Sequence, residues 1–110
     1  MIFKPRDDRR AEPRRVINAP GVVVAPGLEM GCALLDESKG GLRIRLQRDV
    51  PLPEAVVVVD IPAGLAREGR IVWRKGHEAG LKIRETARVA GLVPQRLTAA
   101  RDAWLRAGGR

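Results

Sequence analysis

Between Gly21 and about Ile83 the chain alternates short apolar runs with turn residues. "GVVVA" (21–25) leads into Pro26-Gly27, and "EMGCALL" (29–35) leads into "DESKGG". "GLRIRL" (41–46) alternates strictly, with Leu42, Ile44 and Leu46 on one side and Arg43 and Arg45 on the other. A period of two is the mark of a half-buried strand. "EAVVVVDI" (54–61) is β-branched and nearly all apolar, "GRIVWR" (69–74) follows the connection "PAGLARE", and "GLKIR" (80–84) follows the turn "KGHEA". Six short strands at this spacing predict a mainly β fold, a six-stranded antiparallel barrel or sandwich.

The two ends break the pattern. Residues 1–15 are polar and carry Pro5 and Pro13, which predicts a flexible basic arm. Barrel strands are expected over 16–84 and a C-terminal segment over 85–110. In that segment Pro94 suits the first turn of a helix, where its missing N–H costs nothing. Leu97, Ala100, Trp104 and Leu105 then recur at helical spacing, and Gly108-Gly109 can stop the helix. The expectation is an amphipathic helix at about 94–107, packed on the barrel.

Composition sharpens this picture. The 110 residues suffice for one domain, and 45% of them are hydrophobic. Only 3% are aromatic, so the core must be built from Val, Leu, Ile and Ala. A formal net charge of +8 favours anionic partners. The excess sits on the ends: residues 1–15 carry six Lys/Arg against three acids, and 84–110 carry six Arg against two. The single cysteine, Cys32, excludes an intrachain disulfide and reads as a buried strand thiol. No run of about 18 apolar residues and no signal-peptide pattern occurs, so the expectation is a cytoplasmic protein without membrane insertion.

Two stretches carry candidate chemistry. "DRRAEPRR" (8–15) places four arginines in eight residues. The planar fork of arginine bonds two phosphate oxygens at once, or guanine O6 and N7. "DESKGG" (36–41) is read as a turn whose Asp36 can accept from guanine N1–H and N2–H₂. Ser38 can bond either way, and Gly40 and Gly41 let backbone approach a ligand. A guanine nucleotide satisfies both stretches, whereas a simple phosphate leaves Asp36 unexplained.

In this order the two stretches resemble the PilZ domain family. Its R-x-x-x-R arm motif is matched by Arg10-Ala-Glu-Pro-Arg14, and its (D/N)-x-S-x-x-G motif by Asp36-Glu-Ser38-Lys-Gly-Gly41. "GRIVWRKGHEAGLKI" (69–83) matches a later signature, although it ends in Ile83 where Phe is usual. The resemblance implies a six-stranded PilZ-type barrel with a C-terminal helix, acting as a receptor for cyclic di-GMP. It implies that Arg10 and Arg14 hold guanine and phosphate, and that Asp36, Ser38 and Gly41 hold a guanine edge. Arg9, just before the motif, implies room for two stacked ligand molecules. Arg15 is an additional cation that assists at phosphate or faces solvent, and Gly40 accompanies Gly41. A ligand that bridges arm and barrel would order the arm and pass the signal to a protein partner of unknown identity.

The residues weigh other functions down. His77 has no second histidine or suitable cysteine near it in sequence for a metal, and Ser38 has no partnered base, so no cofactor and no enzyme activity are expected. Trp73 reads as a barrel residue rather than a stacking platform, and Trp104 as a helix-to-barrel contact. A nucleic-acid barrel would suit the charge, but single-strand binders stack bases on aromatic rings, which are scarce here. The alternative to the receptor is a PilZ-like adaptor that binds protein and no nucleotide.

Overall fold

The computed structural model describes residues 13–110. Six strands, β1 (Arg15–Ala25), β2 (Leu28–Ser38), β3 (Gly41–Leu46), β4 (Ala55–Asp60), β5 (Leu65–Lys75) and β6 (Glu78–Arg88), close into an antiparallel barrel. Their order around the barrel is β1-β2-β3-β6-β5-β4. A 3₁₀ turn, Gln95–Leu97, runs into the single α-helix, α1 (Thr98–Arg106). No helix among the described residues is long and apolar enough to cross a membrane.

The barrel interior is aliphatic. Val23, Met30, Leu34, Leu42, Ile44, Leu46, Val56, Val58, Ala79 and Leu81 pack there, drawn from five strands by period-two alternation. Valines of opposite phase leave the barrel on its outer side, and α1 covers them. Val22, Val24 and Val59 there meet Leu97, Ala100, Ala103 and Trp104. Trp104 is 3% exposed, and its Nε1 donates to Ile61 O at 3.0 Å. An apolar ring with one polar corner thus buries its face and satisfies its N–H.

Several expectations change. The helix proper starts at Thr98, because the turn before it is 3₁₀ with Pro94 ahead. Leu105 is 45% exposed and lies off the packed face that Ala100, Ala103 and Trp104 define. Five strands differ from their predicted bounds. β1 starts at Arg15 instead of Gly21, and β5 starts at Leu65, inside the stretch read as a connection. Asp36, Glu37 and Ser38 lie in β2 rather than in a turn. The turn itself is only Lys39-Gly40, where Gly40 takes φ 74, a conformation that suits a residue without Cβ. Cys32 is half-buried, yet burial pushes its thiol up to about 12.

Candidate functional site

Two irregularities in the sheet set the site. Between β2 and β3 the register steps from Leu34↔Ile44 to Asp36↔Arg43, so two residues of β2 oppose one of β3. Such a bulge re-aims the side chains beyond it. By simple alternation Asp36 would follow Leu34 into the core. The extra residue instead turns it outward, beside Arg43. A second shift in β1, between Val16 and Ala19, contains Asn18 at φ 50, a left-handed conformation that Asn tolerates better than most residues.

Directly opposed residues share a face of the sheet. Val16 opposes Asp36, Asp36 opposes Arg43, Arg43 opposes Gly80, and Gly80 opposes Trp73. One row of the outer face therefore crosses five strands. Asp36 is its centre and is 8% exposed. Arg14 donates to Asp36 Oδ1 from Nε at 2.8 Å and from Nη2 at 2.5 Å. Arg43 donates to Oδ2 from Nε at 2.9 Å and from Nη2 at 2.7 Å. Burial by itself would raise the Asp36 carboxyl. The hydrogen bonds and charges of Arg14 and Arg43 outweigh it and hold the group below the usual carboxylate value. Arg43 Nη1 also reaches Glu78 Oε1 at 3.1 Å, so Arg43 is anchored on both sides.

Arg14 and Arg15 are consecutive, and so are Asp36 and Glu37. Arg15 pairs with Glu37, which also takes Arg67 Nη1 from β5. Burial would raise Glu37, and its two arginines lower it. These residues belong to a second surface, a cleft of about 410 Å³ at the end of the barrel. Arg15, Ser38, Gly40, Gly41 and Arg67 contribute to its wall. That volume lies in the range of ligand clefts, about 300–1,000 Å³. Arg14 Nη1 reaches Ser38 Oγ at 3.4 Å, and this contact joins the outer row to the cleft.

The candidate residues are thus distributed in a definite way. Arg14 and Asp36 meet on the outer face, while Arg15, Ser38, Gly40 and Gly41 line the adjoining cleft. Arg9 and Arg10 lie outside the described residues. The sequence pattern makes Asp36 an acceptor for guanine, and in the fold all four of its lone-pair positions face arginine donors. Arg43, Glu37 and Arg67 were missed. Arg43 looked like the polar side of an amphipathic strand, and only the bulge makes it a neighbour of Asp36. Trp73 does sit on a strand, but it is 42% exposed and its indole lies over Gly80, where an added Cβ would come within 1.9 Å of Nε1. His77 serves a hairpin, with Nδ1 3.0 Å from Leu46 O.

A family model described as the PilZ domain matches residues 8–99. The chain belongs to the PilZ family. PilZ domains are binding domains, in general receptors for cyclic di-GMP. The matched span takes in the arginine arm, all six strands and the first residues of α1. No curated protein matches the chain.

Proposed function

We propose that this PilZ domain is a receptor for cyclic di-GMP, bound where the arginine arm meets the end of β2. The observation that carries the proposal is the meeting of Arg14 with Asp36 and Ser38, 22 and 24 residues further along the chain. Arg14 comes from the first motif, and Asp36 and Ser38 come from the second. A cleft adjoins them whose described lining sets Arg15, Lys39 and Arg67 against the acid Glu37. Arginine forks suit the phosphodiester and the O6/N7 edge of guanine, and a carboxylate suits the N1/N2 edge.

The mechanism is an exchange. Asp36 has no acceptor position to spare, so a guanine edge reaches it only by displacing a guanidinium. Arg43 is pinned between Asp36 and Glu78. Arg14 belongs to the arm and is half-exposed. The ligand takes Arg14 from Asp36 onto its own phosphate or base, and the arm moves with it. A partner that reads the arm's position receives the signal.

Nuclear magnetic resonance titration tests the reading. Adding cyclic di-GMP is expected to shift the amides of Arg14, Asp36, Ser38 and Gly41 and to leave those of α1 in place. Shifts absent at millimolar ligand, or spread evenly over the basic surface, would overturn it.

A further inference from the structure

We propose that Arg67, with Arg15, forms an anion subsite in the barrel-end cleft that takes an oxygen of the ligand's phosphodiester. The inference rests on the reading of the chain as a cyclic di-GMP receptor and adds a residue outside both motifs. Arg67 comes from β5, in the stretch "LARE" that the sequence pattern assigns to a connection. Its side chain is 12% exposed, and it lines the cleft.

The argument is one of unspent donors. A guanidinium has five N–H groups and no acceptor. Among the described residues, Arg67 makes one side-chain hydrogen bond, from Nη1 to Glu37. Its Nε is buried and has no partner among the described residues. Leaving a buried donor without a partner is costly. An oxyanion in the cleft would take guanidinium donors that the Glu37 bond leaves unused, in charge-assisted bonds. Among the described residues Arg74 Nε is also buried and unpartnered, but the rest of that guanidinium closes a loop onto Val50 O, Gly76 O and Asp49, and Arg74 does not line this cleft.

Charge points the same way. Among the described residues lining the cleft, Arg15, Lys39 and Arg67 stand against one carboxylate, Glu37, an excess of two positive charges. Glu37 holds the two guanidinium groups on one carboxylate, one on each oxygen. It therefore acts as a positioning residue. It aligns two forks that approach from β1 and β5, so neither must be ordered when the anion arrives.

The test is isothermal titration of cyclic di-GMP into wild type, Arg67→Met and Arg67→Lys, each first shown to be folded at the titration temperature. Arg67→Met is expected to weaken binding about 10- to 150-fold, the loss of a charge-assisted contact, with a shallower dependence on salt. Arg67→Lys keeps the charge and loses the fork, so a smaller loss is expected. It carries the test if Arg67→Met does not fold. The phosphorus resonance of bound ligand should differ between wild type and Arg67→Lys, which a merely structural role for Arg67 would not produce. Wild-type affinity and an unmoved phosphorus resonance in the folded variants would overturn the subsite and leave the receptor reading intact. Failure of wild type to bind would overturn both.

Discussion

Arg14 and Arg43 divide the Asp36 carboxylate between them, one oxygen each, with Nε at 2.8 and 2.9 Å. One of these arginines is anchored in a strand and the other sits on the arm. The pair therefore acts as a clasp with a fixed half and a releasable half, and its state depends on whether Asp36 is charged.

Acid should open the clasp. The folded values of Asp36 and Glu37 lie below their ordinary 3.8 and 4.5. The unfolded chain therefore binds these protons first as pH falls. Their contribution is fully present above about pH 5 and is lost as pH drops through the folded values. Thermal melts between pH 7 and 3 should show the midpoint falling in that acidic window, and Asp36→Asn should flatten the fall. A variant whose profile follows wild type would disprove the assignment.

Gly80 leaves room for the Trp73 indole. Gly80→Ala puts a methyl within 1.9 Å of Trp73 Nε1, and the ring must swing away. Because that ring is already 42% exposed, it has somewhere to go, and the stability cost should be small, about 1 kcal/mol. Trp104 is buried, so the change in tryptophan emission reports Trp73. A red shift with a melting temperature lower by only a few degrees is expected, and an unmoved emission spectrum would contradict the stacked arrangement.

Trp104 fastens the helix to the barrel. Trp104→Ala should cost about 3–5 kcal/mol. Trp104→Phe should cost about 1–3 kcal/mol, because Ile61 O loses its indole donor. Urea denaturation monitored by circular dichroism measures both. A Trp104→Phe variant as stable as wild type would mean the hydrogen bond contributes nothing.

Cys32 should be inert in the native fold. With its thiol pushed up to about 12 by burial, the thiolate fraction near pH 8 is on the order of 10⁻⁴, against about a quarter for an ordinary thiol. A disulfide reagent should label it slowly until denaturant is added. Fast native labelling would show that the strand pair around Cys32 opens readily.

Much of this molecule can be read from period two alone. Residues 41–46 are a strand in both readings, because Leu42, Ile44 and Leu46 alternate with Arg43 and Arg45 without interruption. The valines of β4 supply the barrel with one phase and the helix interface with the other. The site is harder, since its facing depends on the bulge at Leu35, which is a property of strand pairing and leaves no mark in local composition. The early part of β5 was hidden for a related reason. Glu68 is buried there, and Arg96 comes from the C-terminal segment to pair with it at 3.0 Å. A buried charge reads as a loop until its partner is placed.

The measurement that bears most directly on the account is isothermal titration of cyclic di-GMP into wild type and Arg14→Ala side by side, with cyclic di-AMP as the control. Selective binding by wild type is predicted, weakened about 5- to 150-fold in Arg14→Ala by the loss of one bidentate contact. Equal affinity in the two proteins, or no preference for the guanine ligand, would contradict it.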